Sequence, residues 1–217
     1  MVQVLLSIIS IGIIVIISEL LLYEKLFHGE LARKFVHIST GLVIASWAFY
    51  LSIGQIQFIS LVLLVGVILS KYFNIFKSVH GVKRKTWGEA FFAIGIGLVA
   101  TFAPNAWVYA IAILHMSLAD GIAAIIGSAH GRTTSYEVFG HKKSIIGSLA
   151  FYITSVVITL TFVILSPSGT FENIGLILFL VPLTTTITEN IAYNGVDNVV
   201  VPMAVLGVIQ MISKISV

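Results

Sequence analysis

Asp120 is the residue of this 217-residue chain that most demands a chemical explanation. It sits in the apolar run His115-Met-Ser-Leu-Ala-Asp120-Gly-Ile-Ala-Ala-Ile-Ile-Gly127, and an ionised carboxylate at membrane depth is costly unless it is paired, hydrated or bound to a metal. The chain continues Gly127-Ser-Ala-His-Gly131-Arg132, and later Gly140-His-Lys142-Lys143-Ser144-Ile-Ile-Gly147-Ser148. Glycines let backbone amides approach phosphate oxygens, adjacent lysines supply compact positive charge, and a helix beginning at Ser144 presents aligned N–H groups. A carboxylate for Mg²⁺ beside such a loop is what a nucleoside triphosphate requires. The usual P-loop pattern, Gly-x-x-x-x-Gly-Lys-Ser/Thr, is absent. A plain basic loop, with Gly127 serving close helix packing, accounts for the same residues without any ligand.

Two further clusters bear on the same question. Glu30-Leu-Ala-Arg33-Lys34-Phe-Val-His37-Ile-Ser-Thr-Gly41 places Arg33, Lys34 and His37 at helical spacing, so that they share a face. Arg33 and Lys34 alone would be ordinary cationic flanks of a span, but His37 lies a turn inside the apolar run. Near the end of the chain, Glu189-Asn190-Ile-Ala-Tyr-Asn194-Gly195-Val-Asp197-Asn198 gathers two carboxylates and three amides. A capped turn explains Asn194, Gly195 and Asn198, whereas Glu189 lies in an apolar segment and needs a partner.

The elements that position these residues are set by composition. Hydrophobic residues make up 58% of the chain and charged ones only 10%, with a mean hydropathy of +1.08, which excludes an ordinary soluble domain. A helix crossing the hydrocarbon needs roughly 20 mainly apolar residues. Such blocks occur near residues 2–22, 36–53, 56–73, 88–103, 106–126, 145–165, 174–192 and 199–213, the fourth and eighth being short. The expectation is an all-α, polytopic transmembrane bundle of seven or eight spans, forming a single membrane-embedded domain over residues 1–217. The first block has neither a preceding basic residue nor a small-residue cleavage site, and reads as a retained span. No cysteine occurs, so disulfides, iron–sulfur clusters and thiolate zinc sites are excluded.

The net charge of +3 is informative through its placement. Lys25, Arg33 and Lys34, then Lys71, Lys77, Lys83, Arg84 and Lys85, then Arg132, Lys142 and Lys143 all fall in alternate connections, leaving only Lys214 of the twelve basic residues apart. The positive-inside rule makes that face cytoplasmic in a multi-pass cell-membrane protein, with the N-terminus outside. Within the basic stretch from Lys71 to Lys85, the spacing of Tyr72, Phe73, Phe76 and Val79 suits an interfacial helix or a loop held by anionic headgroups.

These residues together resemble the CTP-dependent polyprenol kinases, a family that includes dolichol, phytol and farnesol kinases and a CTP-dependent diacylglycerol kinase, and that is distantly related to the phosphatidate cytidylyltransferases. The likeness rests on Glu30, Arg33, Lys34, His37 and Gly41; on Gly88 and Glu89 after a basic loop; on Asp120, Ala123, Gly127, Gly131 and Arg132 followed by Lys142, Lys143, Ser144, Gly147 and Ser148; and on Glu189, Asp197, Asn198 and Pro202. Ile146 stands where an acidic residue is expected, and the cytidylyltransferase signature is not visible around Asp120.

The resemblance implies phosphoryl transfer from CTP, or another nucleoside triphosphate, to the primary hydroxyl of a lipid alcohol entering from the bilayer. Asp120 would hold Mg²⁺ with Glu189 or Asp197. Lys142, Lys143 and Arg132 would neutralise the triphosphate, supported by amides near Gly127, Gly131 and Ser144. His37 would position or deprotonate the hydroxyl, and Arg33 or Lys34 would meet a phosphate. No nucleic-acid partner is expected, and a homo-oligomer is left open. The rivals are a CDP-lipid-forming cytidylyltransferase and a small transporter using Asp120, Glu189 and His115 as relay groups. The absence of an inverted repeat and the gathering of polar residues at one face weigh against the transporter.

Overall fold

A backbone immersed in hydrocarbon must satisfy its own N–H and C=O groups, so long apolar blocks fold as helices. The computed structural model of the chain describes residues 1–73, 75–76 and 87–215. In order, the helices are α1 (Val2–Tyr23), α2 (Gly29–Ala45), α3 (Ile53–Tyr72), α4 (Gly88–Phe102), α5 (Ala106–Leu114), α6 (Asp120–His130), α7 (Ile145–Leu165), α8 (Ile174–Ile191) and α9 (Asp197–Ile215). A π turn, His115–Ala119, joins α5 to α6 within one apolar rod. Among the described residues, six such rods are long and apolar enough to cross a bilayer. Of the remaining two helices, α4 has 15 residues and α2 has 17. The chain is thus an all-α helical membrane bundle.

Start signals are local. Ser52 and Gln55 form a reciprocal capping box at the head of α3, Asn105 accepts the Val108 N–H at 3.0 Å to start α5, and Ser144 accepts the Gly147 N–H at 3.1 Å to start α7. The second helix begins at Gly29, ahead of the apolar block, because Glu30, Arg33 and Lys34 occupy its first turns. Most of the segment expected as an interfacial helix, including Lys77, Val79, Lys83, Arg84 and Lys85, lies outside the described residues.

The α5 to α6 rod is the centre of the bundle: 67% of its apolar window is buried, against 17% for α1, most of whose apolar side chains are exposed. Around it pack α2, α7, α9 and α4, with Ile44, Ile96, Ile111, Ile113, Phe151 and Leu206 fully enclosed. A two-stranded hairpin, β1 (Ser135–Val138) and β2 (His141–Ser144), stands on the rod's end. It pairs Ser135 with Ser144 and Val138 with His141, and turns through Phe139 and Gly140, both at positive φ (48° and 79°), as a two-residue hairpin turn requires.

Pro202 sits inside α9, where it has no N–H to offer the carbonyl one turn earlier. That carbonyl belongs to Asn198, and it presses on α4 at Gly95, where a Cβ would fall 2.2 Å from the Asn198 oxygen. Only a glycine fits so close to another backbone. Gly95→Ala is therefore expected to lower stability by about 1–3 kcal/mol. Gly207→Ala, also in α9 but with open space around its Cα, is expected to raise it slightly. Thermal unfolding of the detergent-solubilised variants checks both, and equal effects would refute the contact.

Candidate active site

The helical spacing in α2 brings Glu30, Arg33, Lys34 and His37 onto the side that faces the rod. Arg33 Nη2 donates to Glu30 Oε1 at 2.6 Å. Lys34 Nζ reaches across to Asp120 Oδ2, also at 2.6 Å, joining residues 86 positions apart. His37 Nε2 lies 3.0 Å from the Met116 carbonyl and 3.3 Å from the same Asp120 oxygen. The π turn contributes here: the Asp120 N–H bonds the Ser117 carbonyl, so Met116 O, which a regular α-helix would offer to Asp120, meets His37 instead. Both neighbours of His37 Nε2 are acceptors, so that nitrogen carries the proton, and in the neutral ring Nδ1 holds the basic lone pair.

Asp120 is 8% exposed, and Lys34 is also buried. Its carboxylate opens onto a cavity of about 620 Å³ whose wall is shared by α2, α6, the hairpin and the α8 to α9 turn. Lys142, Lys143 and Ser144 line it from β2, Arg132 from the turn below α6, and Glu189 and Asp197 from the helix ends on either side of the α8 to α9 turn. Gly127 and Gly131 line it too, and both are pressed against Ser144: a Cβ would meet Ser144 Oγ at 3.0 Å from Gly127 and 2.4 Å from Gly131. These glycines allow α6 and α7 to approach, with Gly127 also facing Gly147 Cα. Every site residue expected from the sequence therefore borders this cavity except His37, which opens onto the neighbouring space between α1, α2, α3 and α4.

The cations divide into two kinds. Lys34 is held by Asp120, while Lys143 Nζ is held by Glu189 through Oε1 at 2.5 Å and the carbonyl at 2.7 Å. Lys142 and Arg132 are exposed on the cavity wall, and among the described residues neither has a carboxylate within ion-pair distance. The first pair shapes the site, and the second pair can receive an anion. The carboxylates Asp120, Glu189 and Asp197 form no preassembled cluster of three metal-binding side chains among the described residues. Each has one oxygen engaged, by Lys34, Lys143 and the Asn198 N–H respectively. Oxygen donors spaced around a phosphate-sized cavity suit a hard cation that arrives with phosphate ligands.

Sequence reasoning overlooked Tyr136. Its hydroxyl joins Ser148 Oγ at 2.7 Å and also Asn190 Oδ1, while Ser148 Oγ donates to Asn190 Oδ1 at 2.9 Å. This network ties the hairpin to α7 and α8. An aromatic residue in a connecting segment carries no pattern that would reveal it. Asn198 was read as part of a turn and as one of the residues of the family likeness; in the fold its Nδ2 donates to Gly88 O at 3.1 Å and Gly195 O at 3.2 Å, fastening α9 to the head of α4.

A helical membrane bundle with a charged cavity at one end, adjoining an apolar space, is the class that fold and site define. The chain is 34% identical over 200 residues to a phytol kinase from Synechocystis sp., an alignment that covers 88% of this chain and 83% of that protein. No family model and no solved structure matches it. The chain belongs to the polyprenol and phytol kinase family, a family of lipid-alcohol kinases.

The neighbouring lysines are expected to respond differently to truncation. Lys143→Met strands Glu189 without its partner and should cost about 3 kcal/mol of stability. Lys142→Ala should stay within about 0.5 kcal/mol of the parent. Thermal denaturation in detergent separates them, and equal losses would show that Lys142 is also a structural cation.

Proposed function

We propose that this chain transfers the γ-phosphoryl group of CTP to the primary hydroxyl of a prenol, with phytol, farnesol, geranylgeraniol and dolichol as the candidate acceptors, on the cytoplasmic face of the cell membrane. One observation carries the reading. The charged cavity of about 620 Å³ adjoins an apolar groove of about 440 Å³, with Arg33, Gly88 and Asn198 on the walls of both. A polyphosphate and a lipid hydroxyl can meet there without either entering the other's solvent. The similarity to a phytol kinase supports the acceptor class, and the preference for CTP comes from the resemblance to the CTP-dependent polyprenol kinases.

In this reaction the alcohol oxygen forms a bond to the γ-phosphorus, the bond from that phosphorus to the β,γ-bridging oxygen breaks, and CDP departs with the bridging electrons. The hydroxyl proton passes to His37 Nδ1, the basic nitrogen once Nε2 is committed to Met116 O. Lys142 and Arg132 bind the polyphosphate. Lys34, fixed against Asp120, sets a positive charge beside that carboxylate at the cavity wall. Asp120, with Glu189 or Asp197, would hold Mg²⁺ through its free oxygen. The ion when bound neutralises charge on the phosphoryl oxygens. The transferred group has a loose transition state, so catalysis rests on positioning and charge neutralisation.

Purified protein incubated with CTP or ATP, Mg²⁺ and a panel of prenols, followed by mass analysis of lipid and nucleotide, tests the proposal. Prenyl monophosphate with stoichiometric CDP is expected. Pyrophosphate with a CDP-lipid would establish the cytidylyltransferase reaction instead. Asp120→Asn and Lys142→Ala should each lower kcat/KM by at least about 100-fold, the scale of losing one preorganised charge-stabilising group. Full activity in both would remove this site from the mechanism.

A further inference from the structure

The apolar groove has features that helix packing alone does not explain. Its walls come mainly from α1, α2, α3 and α4, and they include His37, Gly88 and Asn198. Gly41 and Gly95 in these helices are close-packing positions, since a Cβ would fall 2.1 Å from Ser117 at the first and 2.2 Å from the Asn198 carbonyl at the second, whereas Gly54, outside the groove, meets open space. Gly12 of α1 and Gly66 of α3 are different. Both line the groove, and a Cβ on either would meet nothing within 4 Å. Two glycines facing open space widen a gap between helices rather than closing it, and the loss of helix propensity they bring has no packing return.

A second observation lies where the groove meets the charged cavity. Asn198 is only 6% exposed. Its Nδ2 is doubly engaged, yet its Oδ1 is buried without a hydrogen-bond partner among the described residues. An orphaned buried acceptor costs about 1–3 kcal/mol unless something donates to it. Asn198 borders both the groove and the charged cavity, so the head of an apolar chain lying in the groove meets the residue that carries this acceptor.

We propose that the groove is the binding site for the single tail of the alcohol acceptor, that Asn198 Oδ1 accepts the hydrogen bond of its hydroxyl on binding, before that single proton turns to His37 Nδ1 for transfer, and that Gly12 and Gly66 leave room for the distal part of the tail and so set chain-length preference. This rests on the kinase reading for the identity of the occupant. His37 and Asn198 both line the groove, and Asn198 also borders the cavity that takes the phosphates. Asn198 is a positioning residue here, and Gly66 acts by volume alone.

The test uses the complete chain in lipid nanodiscs and a geranylgeraniol carrying a diazirine at the far end of its tail. Photolabelling is expected within residues 8–16 and 62–67, and excess unlabelled geranylgeraniol should suppress it. In parallel, Gly66→Leu is expected to lower the ratio of kcat/KM for geranylgeraniol to that for geraniol by at least about tenfold, the discrimination a few methylenes carry in an apolar pocket. Turnover of geraniol in the variant shows that it is folded. Label spread without competition over the outward faces of α7 and α8, or an unchanged ratio, would overturn the assignment. Competed labelling of the groove in a chain that transfers no phosphate would uphold the groove and refute the kinase reading. Phosphorylation with no label in the groove would do the reverse.

Discussion

A carboxylate enclosed in the middle of a membrane bundle has to find a positive partner, because the cost of leaving it alone is several kcal/mol even after relaxation. Asp120 meets that demand with Lys34 and His37, both from α2. The consequence is architectural as well as chemical. The ion pair fixes the rotation of α2 against the central rod, which turns Arg33 toward the charged cavity and His37 toward the apolar groove. The π turn ahead of Asp120 contributes to the same alignment by presenting Met116 O to the histidine ring. A second, partly buried pair, Lys143 with Glu189, does for the hairpin and α8 what the first does for α2 and α6.

Once these pairs are made, the remaining polar groups have a division of labour. Cations locked to carboxylates define the shape of the cavity, and Lys142 and Arg132 are left on its wall to meet an anion. The α8 to α9 turn closes the junction. Gly195, at φ 91°, allows its backbone to rest on Gly88, where a Cβ would come within 2.4 Å of the Gly88 Cα. Asn198 then reaches the Gly88 carbonyl and stands between the two compartments. A phosphotransferase acting on a membrane alcohol needs such a border, since its two substrates are stable in different solvents.

Much of this was legible from residue types. Most apolar blocks matched the helices to within a few positions, because spans are dictated by hydrocarbon thickness and backbone satisfaction; the block expected at 36–53 is the exception, its helix running Gly29–Ala45 because the polar turn with Glu30, Arg33 and Lys34 is helical. Asp120, Glu189 and His37 stood out since polar groups in apolar runs need partners. Which partner each would take was not legible: Lys34 looked like a flanking cation and proved to be the counter-ion of Asp120, a contact that only the tertiary fold creates. The hairpin was read as a loop, as four-residue strands around Phe139-Gly140 carry almost no periodic signal. The groove was invisible altogether. Gly12 and Gly66 look like any membrane-helix glycine until their neighbours are known.

The account depends on direct contact between Lys34 and Asp120, and a double-mutant cycle measures it most directly. Lys34→Met, Asp120→Asn and the combined variant, compared by thermal or denaturant unfolding in one detergent, isolate the coupling. Residues in contact within a buried charge network are expected to show an interaction of about 1–3 kcal/mol, with the double variant losing less than the singles together. Additive losses, agreeing within about 0.5 kcal/mol, would mean that the two side chains do not meet, and the site described around them would fail.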